Sequence, residues 1–139
     1  MHTDIDSEIK VLSSIDPAVI YNGNGTKTGA TIDTQGYEAL EFVFTSGVLT
    51  DGTWTTQVFG SNASNMSGEV QLTGANLVSA DLSFAITDDS VSKRQGVNVA
   101  AAGYRYYRMK ATQASATTGG YVSGVAILAK PRFMAVATP

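Results

Sequence analysis

Hydrophobic and polar positions alternate with a period of two in several short runs, and no segment holds a sustained helical period. The clearest run is YEALEFVFT, residues 37–45. Leu40, Phe42 and Phe44 share one face there, which the pattern assigns to the core. Glu38 has the same parity and is expected at the rim, while Glu41 and Val43 face a partly covered side. In TWTTQVFGS, Trp54, Thr56 and Val58 alternate with Thr55, Gln57 and Phe59. In YRYYRMKAT, residues 104–112, Tyr107, Met109 and Ala111 read as core. Tyr104, Tyr106, Arg108, Lys110 and Thr112 then lie on an exposed face. SEIKVLSSI, residues 7–15, sets Ile9 and Val11 against Lys10 and Leu12.

Weaker strand patterns cover residues 18–21, 29–33, 68–74 and 82–87, residues 90–100 read as a strand leading to a loop, and a last long strand covers 119–129. Residues 75–81 read as a loop or a single helical turn. Turn signals separate these runs: Asn-Gly pairs at 22–25 and Thr-Asp-Gly at 50–52, with Pro131 closing the last strand. Short strands with turns every 8–12 residues predict an all-β fold, a sandwich or barrel. One domain spans 1–139, with an acidic arm over 1–8 and an apolar tail over 133–139.

Composition agrees with strands: Lys and Glu are scarce, while Thr, Ser, Gly and β-branched residues are abundant. The chain has no cysteine, which excludes disulfides, thiolate metal sites and a cysteine nucleophile. Its one histidine, His2, stands beside the first methionine and cannot build a catalytic triad. The first residues lack the basic start and apolar run of a signal peptide, and no run nears the ~20 apolar residues of a membrane span. Synthesis in a cytoplasm and no membrane partner are therefore expected.

Charge is split along the chain. All twelve acids lie before residue 90, with only Lys10 and Lys27 beside them, a net −10. Seven basic residues and no acid follow, a net +7. Two readings arise: late basic strands pair with early acidic ones inside the molecule, or acidic and basic surfaces dock on a charged partner. The stretch GYRYYRMK, residues 103–110, sharpens the question. Exposed aromatics among cations can stack bases and grip phosphates. However, the RNP1 spacing is missing and the whole chain is acidic, with a net charge of −3, so no nucleic-acid partner is expected. Exposed Tyr and Arg equally suit a protein interface.

Other candidates carry less. GNGTKTG, residues 23–29, lacks Walker spacing and a following helix, and reads as a turn. Asp81, Asp88 and Asp89 lack the spacing of a calcium loop. Three Asn-X-Ser/Thr sequons, at Asn24, Asn62 and Asn65, read as chance matches in a Ser/Thr/Asn-rich chain. No constellation marks an enzyme, and no cofactor is implied.

The stretch DTQGYEALEFVFTSGVLTDGTWTTQVFGSNAS at 33–64, GYRYYRMKAT at 103–112 and SGVAILAKPR at 123–132 together resemble capsid cement (decoration) proteins of tailed bacteriophages. The likeness lies in a Gly-Tyr-plus-hydrophobic strand, a Thr-Asp-Gly turn, a late R-Y-x-R strand and a closing strand ending in Pro-Arg. Residues 60–87 depart from that pattern. The resemblance implies a jelly-roll β-sandwich of about eight strands on the outside of a virion, bound to the major capsid protein of an HK97-like shell. A homo-oligomer, in the first instance a dimer, is expected. Candidate contacts to capsid or sister subunit are Ile5, Ile9 and Lys10; Lys93 and Arg94; Tyr106 and Arg108; and Lys130, Arg132 and Phe133. The alternative is a carbohydrate- or receptor-binding sandwich of a tail or head fibre, for which Trp54 and Tyr121 are the exposed-aromatic candidates and core is the competing place for Trp54.

Overall fold

Alternating runs need a second layer to cover their apolar faces, and two antiparallel sheets supply it. The computed structural model describes residues 8–17, 24–85 and 87–132. Its strands are β1 Ile9–Ile15, β2 Gly25–Thr28, β3 Ile32–Asp33, β4 Tyr37–Leu49, β5 Thr53–Ser61, β6 Val70–Gln71, β7 Ser83–Phe84, β8 Ser92–Val97, β9 Tyr106–Ala114 and β10 Gly120–Pro131. One sheet has the order β1-β10-β4-β8. The other has the order β2-β9-β5-β6, with β3 also on β9 and β7 also on β5. If β2 with β3, and β6 with β7, each count as one interrupted strand, this is an eight-stranded jelly roll with two interleaved Greek keys. The expected fold class is what the chain adopts.

The core lies between the sheets. Phe42, Phe44, Val58, Tyr107, Met109, Ala126 and Leu128 are fully buried, and Trp54 and Ile32 nearly so. Strand β4 alternates as its pattern predicts from Glu38, exposed at the rim, to Gly47; a register shift against β10 between Gly120 and Val122 then leaves Val48 exposed and Leu49 buried. Polar residues are buried there too, Thr56, Gln95 and Gln113 among them. Gln95 points inward from β8, accepts from the Thr56 hydroxyl at 3.3 Å and donates to the Ala80 carbonyl at 3.1 Å, joining one sheet to the other.

On β1 the Leu12 side packs on the core while Val11 stands 56% exposed, and a register shift between Ser13 and Ile15 turns Ile15 inward as well. Four local expectations need correcting. Gly25–Thr28, expected as a turn, is a strand, because β9 offers it a free ladder and Thr26 meets the Thr112 hydroxyl at 2.9 Å. The strands expected at 68–74 and 82–87 shrink to two residues each. A short helix, α1 Val99–Ala102, ends the segment expected as strand and loop; Asn98 caps it and Gly103 closes it at φ 70°. Tyr104, expected outward on a strand, precedes β9 and packs edge-on against Tyr107, with ring centroids 6.5 Å apart. The 3₁₀ turn at Gly74–Asn76 matches the single helical turn expected in that region. Residues 18–21 lie outside the described residues, as do Ile5, Phe133, most of the acidic arm and the whole tail.

Candidate interaction surfaces

The cations of residues 103–110 are held by acids from earlier in the chain. Arg108 and Lys110 follow one another on the outer face of β9. Glu69, just before β6, lies across from them: its carboxylate accepts from Arg108 Nε at 2.6 Å and from the Lys110 ammonium. Lys110 also sits 4.2 Å above the Phe59 ring. Arg105 donates to both carboxylate oxygens of Asp33, at 3.0 and 2.8 Å, and lies 5.0 Å from the Tyr106 ring. Lys93 pairs with Asp88 at 3.2 Å and Arg94 with Glu41 at 3.5 Å. Five late cations thus close on early acids, which is the intramolecular reading of the split charge. Tyr106, Arg108 and Lys110 each meet a partner from within the chain.

The same contacts set the acid response. The Arg108 hydrogen bond, more than the weaker one from Lys110, holds the Glu69 carboxyl below its usual range. Arg105 does the same for Asp33. Asp51 is lowered by the backbone N–H groups of Gly119, Thr117 and Thr118, which it binds across the β9–β10 turn. Asp88 is lowered by the Ala85 N–H and then by Lys93. Carboxyls depressed in the folded state stabilise it above their unfolded pKa of about 4, and lose that contribution as pH falls through the folded values. The thermal midpoint is therefore expected to stay level from about pH 7 to 5 and to drop steadily below about pH 4. A midpoint unchanged down to about pH 2 would contradict these pairings.

Lys130 and Arg132 differ from the other late cations. Neither has an acidic partner among the described residues, and both are exposed. They line a groove of 610 Å³ at one end of the sandwich, with Thr34, Gln35, Glu38, Tyr104 and Arg105. Lys130 adopts φ 55°, in the left-handed region that non-glycine residues rarely occupy, just before Pro131. On its other side Lys130 joins Glu8, Ile9, Ala129 and Pro131 around a second hollow of 310 Å³. The fold therefore gathers Ile9, Lys130 and Arg132 at one end, while Lys93 and Arg94 lie on β8 and Tyr106 and Arg108 on the opposite sheet. Exposed Lys10 is the weakest influence that lowers Asp33.

The outer faces of the two sheets differ in chemistry. On the β2-β9-β5-β6 sheet the outward positions are mostly Thr, Gln, Lys, Arg and Glu, around Phe59 and Tyr106. On the β1-β10-β4-β8 sheet they are Ile9 and Val11 from β1, Val125 and Ile127 from β10, and Val43 from β4, with small residues between. Glu41 and Arg94, paired to each other, are the charges on that face among the described residues. Tyr121 extends it at 47% exposure, lying over Gly47, where a Cβ would come within 3.0 Å of the tyrosine Cβ. In the sequence only the Glu41 and Val43 side of β4 was legible as partly covered; the full extent of this apolar sheet face was not. Its residues alternate with core residues and carry no separate signal.

Trp54 is 1% exposed, so its ring is core and cannot stack on a sugar; Tyr121 alone of the two aromatic candidates is on the surface. Asp88 binds its own loop, accepting from Ala85 N–H at 2.8 Å, while Asp89 accepts from Leu49 N–H at the end of β4 at 2.7 Å. Among the described residues, no helix is long and apolar enough to cross a membrane.

No family model matches the chain, and no curated protein matches it in sequence. Its fold is that of the SPBc2 prophage-derived protein YomS, at 12% identity and a TM-score of 0.52, over 88% of this chain and 94% of that one. A structure of infectious bursal disease virus, Gx strain, aligns at 11% identity and a TM-score of 0.48, over 94% of this chain and 34% of that one. PirA aligns at 9% identity and a TM-score of 0.39, over 94% and 97%.

Proposed function

We propose that this chain is a structural protein of a virion that binds the outer surface of an HK97-like phage shell and stabilises it as a homo-oligomer. One observation carries the reading. A single jelly roll, matched almost end to end, is shared with a prophage-derived protein, in a chain whose segments at 33–64, 103–112 and 123–132 resemble cement proteins. A cement protein works by contact alone. It needs a stable body, a surface for its neighbour and charge that guides docking. Lys130 and Arg132, the late cations without acidic partners among the described residues, supply that charge at the grooved end. Lys93 and Arg94 are already engaged with Asp88 and Glu41, so they add less to it.

The test is sedimentation of the purified chain with undecorated heads assembled from the major capsid protein of the same phage. The chain is expected to pellet in numbers proportional to the capsid subunits. Binding should weaken as salt shortens the screening length below the ~8 Å of physiological buffer. Lys130→Glu with Arg132→Glu should weaken it further. A chain that stays in the supernatant, or is found in only a few copies on a tail, would overturn the reading.

A further inference from the structure

We infer that the outer face of the β1-β10-β4-β8 sheet is the surface on which two copies of this chain pack together. The inference rests on the homo-oligomer part of the proposed function and not on its capsid part.

A sandwich wetted on both sides carries polar residues on both outer faces. Here one outer face is polar and ionic, while the other presents Val11, Val43, Val125, Ile127 and Tyr121. Something must cover it, and its chemistry selects the occupant. Glu41 and Arg94 neutralise each other in place, so the face offers no net charge to a charged partner. A face that is apolar and locally neutral is complementary to itself: a twofold axis through it sets aliphatic rows on aliphatic rows, with no like charges forced together. Its relief also suits such packing. Gly47, Ala39 and Ala129 lie among the large side chains, leaving room for the partner's valines to interdigitate.

The area is sufficient. Strands of 7, 12, 13 and 6 residues, at ~3.3 Å per residue and ~4.8 Å apart, cover about 600 Å² of planar face. Two such faces reach the ~1,200 Å² at which stable interfaces begin. β1 widens the same patch: Val11 stands in register beside Ile127 and is more than half exposed, free for a partner to cover.

The experiment is sedimentation equilibrium of the free chain, with no heads present, at ~100 μM, above the dissociation constants usual for interfaces of this size. A dimer is expected. Val11→Asp should raise its dissociation constant roughly a hundredfold, because a lone carboxylate is buried against an apolar partner. Val11 is more than half exposed in the single subunit, so the variant should fold, which its thermal midpoint checks. Ile127→Lys should act the same way. Thr55→Asp, on the outer face of the other sheet, should leave the dimer intact. A monomeric wild-type chain overturns the inference, and so does a dimer indifferent to Val11→Asp and Ile127→Lys. If the dimer forms as expected but the chain does not pellet with heads, the self-association stands and the capsid reading falls.

Discussion

Phe42→Ala is expected to destabilise the protein by about 3–5 kcal/mol, the range for truncating a buried aromatic residue. Phe42 sits at the middle of β4 with no exposed surface, between Leu40 and Phe44 on the same face. β4 lies between β10 and β8, so the gap left by the ring cannot be filled by moving an edge strand. In the same core cluster are side chains of the second sheet that are themselves fully buried, Val58 and Met109 among them. A close-packed core relaxes only partly into such a gap, so the loss is the transfer energy of the ring plus a cavity contribution. Val43→Ala, one residue along and on the outer face, should cost much less, within about 1 kcal/mol in the free subunit. Denaturant melts of both variants separate the two faces. Equal losses would mean that the alternation does not report burial.

That alternation explains why the sheets were legible. Leu40, Phe42 and Phe44 on β4 and Tyr107, Met109 and Ala111 on β9 lie at every second position, and all are buried. Where the period breaks, the reading fails for a physical reason. At Ser13–Ile15 a register shift exchanges the faces of β1, and no residue there announces it. β2, GTKT, has no apolar residue. It is a strand because β9 supplies backbone partners, which is a property of the neighbour. α1 is too short for a helical period and is defined by its Asn98 cap and the left-handed Gly103.

The ends and surfaces were less legible than the core. The split of charge along the chain raised internal pairing, and five ion pairs realise it. Which acid meets which cation depends on strand order: Glu69 and Arg108 are 39 residues apart, and Asp33 and Arg105 are 72 apart. Lys130 and Arg132 were candidates in the sequence, but the groove they line was not legible there. Its walls at Thr34 and Tyr104 come from distant segments.

Glu69→Met alone is expected to cost about 2–3 kcal/mol, while the triple change Glu69→Met, Arg108→Met and Lys110→Met should recover most of that loss. The three side chains are about four-fifths covered, at 17%, 22% and 21% exposure. Removing the carboxylate leaves two cations side by side on β9, partly desolvated and without their shared acceptor. Stripping one partner from a well-buried pair costs ~3–5 kcal/mol; the remaining exposure and salt screening reduce that here. Replacing all three by apolar groups of similar length removes both the attraction and the cost of burying charge, which nearly cancel. Met on β9 would lie against Phe59, the ring that Lys110 now covers. Urea melts of the single and triple variants at about pH 7 make the comparison. If Glu69→Met costs less than ~0.5 kcal/mol, the cluster is an ordinary surface ion pair. If the triple variant is less stable than the single one, the cations hold the sheet through contacts other than Glu69.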